Sequence, residues 1–378
     1  MYKRQDYGCR PDIEAAYGDK LRPMDAFKDS APAELVDCVG HDDLIVLMFT
    51  SGTTGRSKAV MLSERNFFTT VECQVKFGDA MLDYKHEHMP EDKNDVLSNF
   101  AILPLFHLGT FICLFVWACK GWALNLSADI RDFYRDLGLM HSDAIAVAPM
   151  LMEAIYKDVK RGRRARLNGI WNPCGSSAMF DGAMLAELAQ QGMMITQVYG
   201  MTETCGDGII NYEQDEKHIR AVGRPDDHAE YKLDETGEIC IRGGCVMLGY
   251  YKDPEATAEV LDADGWFHTG DLARVDEDGF YYITGRKKNI IILDNGENVS
   301  PEELENLLSK CEAVKECIVR EKGKKICAVI YCGEADQQTV RDFITETNRT
   351  LPLYKRMSAV EFSTEPLPRT GTGKLLRK

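Results

Sequence analysis

Between Leu44 and about Tyr199, short apolar runs alternate with stretches of helical periodicity, and that alternation restricts this part of the chain to parallel α/β architecture. The runs Leu44 to Phe49, Asp143 to Val147 and Met193 to Val198 are expected strands, too short for helices and rich in apolar residues. Ser63 is placed to cap a helix over Glu64 to Phe77, and Pro149 precedes a helical pattern over Met150 to Lys160. Such helices would cover the faces of the sheet. The segment Ala101 to Cys119 carries no formal charge and approaches the length of a membrane span. Pro104, His107 and Gly109 interrupt it, so a strand, a loop and a buried core helix are expected instead.

Beyond Arg224 the texture changes to short strands separated by turns: Tyr231 to Leu233, Glu238 to Arg242, Leu272 to Val275 and Phe280 to Thr284. After Lys288 a compact α/β pattern follows, with its clearest helix at Ser300-Pro301-Glu302-Glu303, where serine is the N-cap, proline N1 and glutamate N3 of a capping box. The division expected is a large domain over 1–285, with a β-rich subdomain at about 224–285, and a small α/β domain over 286–378.

The formal charge of -15 repels phosphate-rich polymers, so nucleic acid is excluded as a partner. The 13 cysteines are odd in number and none forms a C-x-x-C pair, so neither a disulfide framework nor a zinc site is suggested and a reducing cytoplasm fits. Met1 to Arg10 is charged and has no apolar stretch of the secretory kind.

One segment is suited to a polyphosphate: Thr50, Ser51, Gly52, Thr53, Thr54, Gly55, Arg56, Ser57 and Lys58 follow an expected strand and precede an expected helix. Glycines let backbone N–H groups approach oxyanions, hydroxyls donate further bonds and the lysine adds a mobile positive charge. It is not a Walker loop, because Arg56 and Ser57 stand between the last glycine and Lys58. Gly371-Thr372-Gly373-Lys374 is closer to that motif, but Leu375 replaces the metal-binding hydroxyl and Lys378 follows too soon for the helix such a loop requires.

Further motifs follow in order: P-L-F-H-L-G from Pro104, Y-G-M-T-E-T from Tyr199, G-E-I-C-I-R-G from Gly237 with M-L-G-Y-Y ending at Tyr251, and W-F-H-T-G-D from Trp266. G-R-K-K-N then starts at Gly285, N-G-E-N-V-S-P-E-E at Asn295 and P-R-T-G-T-G-K at Pro368. With the phosphate loop, this series resembles the adenylate-forming superfamily of acyl-CoA synthetases, peptide-synthetase adenylation domains and luciferases. Among these it is most similar to bacterial-type long-chain fatty acid–CoA ligases.

Carried over residue by residue, the resemblance implies that Thr202 contacts nucleotide phosphate and Glu203 supplies a carboxylate to Mg2+, a cation that takes hard oxygen ligands. Tyr199 with Gly200, facing Gly175, Ser176 and Ser177, would form the two sides of an adenine slot; here the serines and Met179 depart from the commoner Gly-Ala-Pro pattern. Asp271 would accept hydrogen bonds from both ribose hydroxyls, and Arg286 would contact ribose or phosphate. Lys374 would bridge the carboxylate and the α-phosphate, and His107 would act as a gate and hydrogen-bond donor, with a structural role its rival. Lys288 matches the hinge of a mobile C-terminal domain, and Gly296 the entry of a pantetheine arm.

The resemblance implies two steps on one site, with ATP, Mg2+ and coenzyme A: formation of acyl-AMP, then displacement of AMP by a thiol. The stretch Leu105 to Trp122 has no aspartate to hold an amino group and suggests an apolar pocket for a small-molecule carboxylic acid such as a fatty acid. A carrier-protein ligase remains a rival, as does a catalytically incompetent homologue, because relatives carry roughly a hundred residues or more before the phosphate loop and a missing N-terminal part is therefore expected. A cytoplasmic location is expected, with peripheral membrane contact left open.

Overall fold

The computed structural model describes residues 40–50, 57–127, 129–176, 180–206, 208–293, 297–369 and 375–376, without the side chain of Ser176. A six-stranded sheet lies at the centre of the first half. It contains β3 (Ser98–Ala101), β4 (Ala123–Leu126), β5 (Ala144–Val147), β6 (Asn172–Ser176), β7 (Thr196–Gly200) and β8 (Gly208–Asn211), in the order β4-β3-β5-β6-β7-β8. Every neighbouring pair is parallel except the last, in which β8 folds back against β7.

Alternation of side chains along β5 and the residues leading into β6 and β7 sends successive residues to opposite faces, which explains the two cores. Ile145, Met152, Ile155, Leu185, Leu188 and Ile195 pack on one face with α3 (Phe133–Leu139), α4 (Pro149–Lys160) and α5 (Gly182–Gln190). Ala144, Trp171 and Met194, each one residue out of step, pack on the other with Met81 and Trp117, from α1 (Glu64–His88) and α2 (Leu108–Cys119). Full burial of one such apolar side chain stabilises the fold by about 1.5–3 kcal/mol.

The expected strand, loop and helix across Ala101 to Cys119 are found as β3, a turn around Pro104 to His107, and α2. Among the described residues no helix is long and apolar enough to cross a membrane. The Ser63 cap is also found: its hydroxyl accepts from Asn66 N at 3.3 Å and Asn66 Oδ1 accepts from Ser63 N at 2.8 Å. Its helix runs on to His88 rather than stopping at Phe77. Ser63→Ala is expected to cost about 1 kcal/mol in a urea melt, the usual value of a cap.

Three local readings are corrected. The run from Leu44 is β1 (Leu44–Thr50), but it pairs antiparallel with β2 (Lys58–Ser63) in a separate sheet completed by β11 (Gly249–Tyr250). A short apolar run does not distinguish a buried parallel strand from a hairpin strand, and here Phe49 is 69% exposed. The phosphate loop therefore joins two strands rather than a strand and a helix. The run at Met193 becomes strand only from Thr196, because Ile195 N donates to the side chain of Gln214 instead of to a neighbouring strand.

The β-rich part is one antiparallel sheet in the order β13-β12-β10-β9, built from β9 (Ala229–Leu233), β10 (Glu238–Gly243), β12 (Phe267–Val275) and β13 (Tyr281–Arg286). Following it are a two-stranded ribbon, β14 (Ile291–Ile292) and β15 (Asn298–Val299), and the helix α7 (Pro301–Leu308), which comes after the short α6 (Pro254–Ala258). A last sheet holds β16 (Glu316–Lys322), β17 (Lys325–Tyr331) and β18 (Ala359–Ser363), with α8 (Gln337–Thr350) as the crossover between the parallel β17 and β18. Val299, Leu304, Leu308, Ile330 and Ile344 share its core. Ser300 is the N-cap residue of α7, yet no side-chain capping bond forms, which is the third correction. Its hydroxyl donates instead to Thr284 O at 2.7 Å, tying α7 back to β13.

Candidate active site

The site is assembled around the loop that leaves β7. After Gly200 the chain makes a 3₁₀ turn over Thr202–Thr204, and Cys205 at φ 57° and Gly206 at φ 74° return it into β8. This tight reversal places Glu203 against β11. Glu203 Oε1 accepts from the Tyr250 hydroxyl at 2.9 Å, and its carbonyl accepts from Met247 N at 2.9 Å. Burial, and then the neighbouring Glu203 charge, push the Tyr250 phenol well above its ordinary pKa, so it stays a proton donor.

β11 pairs with β2, and this brings Lys58 over the same ring, its Nζ 4.4 Å from the Tyr250 centroid. A lysine of the phosphate loop and the expected metal carboxylate are thus held by one tyrosine. That tyrosine lies within the M-L-G-Y-Y motif, but sequence reasoning gave it no role. Tyr250→Phe is expected to lower unfolding stability by about 1 kcal/mol, one hydrogen bond to a partly solvated carboxylate, as read by denaturant melts.

A second cluster begins at Tyr199, whose hydroxyl donates to Asp271 Oδ2 at 3.2 Å. Asp271 on β12 stands opposite Arg286 on β13 in the strand register, and Arg286 Nε lies 2.6 Å from Asp271 Oδ1. Asp271 is 5% exposed, and its carboxylate meets both a guanidinium and a phenol, the pairing a buried charge requires. Burial, with the Asp271 charge as the next cause, raises the Tyr199 phenol well above its usual value. Tyr199 and Glu203 are four residues apart, so the two clusters sit within about 14 Å of each other along the chain.

Beside Asp271, residues Thr269, Gly270, Arg286, Lys287 and Lys288 line a cleft of about 340 Å³. A larger opening of about 530 Å³ is lined by Met61, Leu248, Tyr250, Pro254 and Leu261 among others, and Tyr250 is its sole link to the two clusters. Of the expected site residues, Arg286 and Lys288 line the smaller cleft.

Gly175 on β6 is buried, and a Cβ there would fall 2.5 Å from the Phe180 ring. Glycine is what lets that ring approach the backbone. Phe180 was not singled out in the sequence, because a lone phenylalanine carries no local signal. Gly200 pairs with Gly208 across β7 and β8. His107 is exposed at the N-terminus of α2. The adjoining Leu108 packs in one cluster with Cys205 and Tyr250, so His107 borders the same region. Thr202 is half-buried in the turn, Lys288 is exposed, and Thr50 Oγ1 donates to Lys58 O at 3.4 Å across the ends of the loop. Ser51, Gly52, Thr53, Thr54, Gly55, Ser177, Gly296 and Lys374 lie outside the described residues, as does the side chain of Ser176.

Comparison with known proteins gives the same order of parts. A family model described as AMP-binding enzyme matches residues 8–251, and one described as AMP-binding enzyme C-terminal domain matches residues 303–374. A feruloyl-CoA synthase from Amycolatopsis sp is 32% identical over 387 residues, covering 96% of this chain and 74% of that protein. The long-chain-fatty-acid–CoA ligase of Salmonella typhimurium is 30% identical over 356 residues, covering 89% of this chain; the chain spans 61% of that relative's length. The structure of O-succinylbenzoate coenzyme A synthetase from Bacillus subtilis, in complex with ATP and magnesium ion, superimposes with a TM-score of 0.73 at 25% identity over 93% of this chain and 73% of that one. With a family match over most of its length, and a mixed α/β fold shared with these enzymes, the chain belongs to the AMP-binding enzyme family.

Proposed function

We propose that the chain performs ATP-dependent activation of a carboxylic acid to acyl-AMP, followed by transfer of the acyl group to coenzyme A. The observation that carries this reading is the meeting of Tyr199, Asp271 and Arg286 from three strands, four residues from Glu203, in a member of the AMP-binding enzyme family. In the first step a carboxylate oxygen attacks the α-phosphorus and pyrophosphate leaves. In the second the thiol sulfur attacks the acyl carbon and AMP leaves.

Asp271 is the ribose acceptor in this reading. Its two oxygens already attract one phenol and one guanidinium, so they suit a pair of donated hydroxyls, with Arg286 swinging toward phosphate. Tyr199 and Gly175 border the base, and Lys58, with the rest of the loop Thr50 to Gly55, borders the phosphates. Glu203, half-buried and offering only oxygen, fits Mg2+. When bound, the ion would draw charge from the phosphates. Thr202 donates to phosphate, His107 gates the carboxylate, and Lys374 bridges carboxylate and α-phosphate. The domain division is placed between residues 285 and 286, with Lys288 as hinge and Gly296 as the pantetheine entrance, so that rotation of the small domain exchanges one reaction for the other.

The acid is inferred to have an apolar body, with a fatty acid the preferred reading. Phe111 and Phe115, in the stretch expected to line the acyl site, meet Phe67 in an edge-to-face aromatic cluster where α1 meets α2. The reaction is placed in the cytoplasm. The test is acid-dependent exchange of labelled pyrophosphate into ATP across a panel of fatty and aryl acids, followed by thioester assay with coenzyme A or a carrier protein. Exchange with an apolar acid and acylation of coenzyme A are expected. Absence of exchange with every acid, in this chain and in one extended by any upstream coding sequence, would sink the reading.

A further inference from the structure

Cys240 on β10 and His268 on β12 face each other directly in the antiparallel register, with Sγ and Nδ1 3.5 Å apart. That separation is the edge of a tetrahedron around one ion, about 3.5 Å for sulfur and nitrogen ligands at ordinary zinc bond lengths. Glu238 Oε2 lies 3.7 Å from the same nitrogen, and Asp234 brings a carboxylate oxygen within 4.8 Å of both the sulfur and a His268 nitrogen. Asp234 Oδ1 is taken up by its own turn, accepting from Thr236 N, Thr236 Oγ1 and Glu238 N at 2.7 to 2.9 Å, which leaves Oδ2 as the oxygen that can turn to an ion.

Two further contacts point the same way. His268 Nε2 is 3.5 Å from Asp262 Oδ2, the outer carboxylate that orients a ligating imidazole. The cluster also already holds a cation: Lys287 Nζ is 2.7 Å from Glu238 Oε2 and 3.6 Å from Asp234 Oδ2. Cys240 and Glu238 are buried, while the His268 and Asp234 side chains are 34% and 24% exposed, so an ion has a route in.

We propose that Asp234, Cys240 and His268, with Glu238 beside them, form a binding site for a divalent transition-metal ion of the zinc type, which enters by displacing Lys287. On binding, the Cys240 thiol proton passes to water, a metal–sulfur bond forms, and the Lys287 ammonium moves out with its charge. The net charge of the group is then the same before and after, since a dication replaces one ammonium and one proton. The thiolate and imidazole donors select against Mg2+, which takes hard oxygens, so this site is chemically distinct from the one at Glu203. Its evidence is the strand register and these side-chain distances, not the proposed reaction, although Lys287 also lines the cleft beside Asp271.

The reduced, EDTA-stripped full chain is titrated with cobalt(II) in excess magnesium, following thiolate-to-cobalt charge-transfer absorption and its loss on adding zinc. One equivalent producing the band in the parent is expected, with loss of the band in Cys240→Ser and about tenfold or greater weakening in His268→Gln. Lys287→Ala should bind cobalt about tenfold more tightly, because the competing cation is gone; a purely structural cysteine would not respond to that change. His268 and Lys287 are partly exposed, so those variants report even if Cys240→Ser folds poorly. No charge-transfer band in the parent, or a band undiminished in Cys240→Ser or His268→Gln, overturns the site.

Discussion

Asp271→Ala is expected to weaken ATP binding by at least about a hundredfold and to lower unfolding stability by about 1–3 kcal/mol. The stability loss reflects the buried Tyr199 hydroxyl losing its carboxylate acceptor, with Thr269 as its remaining neighbour. Arg286 adds less, because its side chain is 42% exposed and water can replace the carboxylate. The affinity loss follows from two charge-assisted hydrogen bonds to ribose, whose combined net value of about 3 kcal/mol or more corresponds to at least two powers of ten. Calorimetric titration with MgATP and urea melts of the same samples separate the two effects. Asp271→Asn, which keeps the shape and one acceptor, should fall between parent and alanine in both. Unchanged ATP affinity in the alanine variant would remove Asp271 from the proposed nucleotide site and leave it a structural ion pair.

Gly208→Ala should be the most damaging small substitution in the central sheet, costing more than about 3 kcal/mol or abolishing soluble expression. A Cβ at this position would lie 1.9 Å from the Tyr199 carbonyl oxygen and 3.0 Å from Gly200 Cα, and both obstacles are backbone. Relief requires opening the antiparallel pairing of Gly200 with Gly208 and Tyr199 with Ile209, which holds the loop carrying Glu203. Gly138→Ala in α3 is the matched control, since nothing lies within 4 Å of its added carbon. There the loss of unfolded-state freedom and the better helix propensity should stabilise by about 0.4–1 kcal/mol. A melting comparison of the two variants tests whether close backbone approach, rather than glycine content, sets the outcome.

Much of the architecture was legible locally. The Ser63 cap, the proline at the start of α4, and the broken apolar stretch before α2 all follow from interactions within a few residues, so their patterns survive in the bare chain. The errors have the same origin in reverse. Nothing between Leu44 and Phe49 reveals that the partner strand is β2 and that the sheet is separate, because pairing partners are chosen by surfaces elsewhere in the fold. Ser300 is followed by the residues of a capping box, yet its hydroxyl turns to Thr284 on a neighbouring strand, a competition that no local pattern expresses. The absence of a C-x-x-C pair argued against a thiol-based metal site, but strand register can join Cys240 to His268 without any such spacing.

By itself the amino-acid sequence determined the α/β layering, the change to β-rich texture beyond Arg224, and the set of residue types equipped to meet a nucleotide, because periodicity, turn residues and motif order are properties of adjacent positions. Only the tertiary structure decided that Tyr250 holds Glu203 across 47 positions and that Tyr199 meets Asp271 across 72. Such contacts form when packed strands bring distant segments to one edge, and their energy depends on geometry and exclusion of water rather than on neighbouring letters.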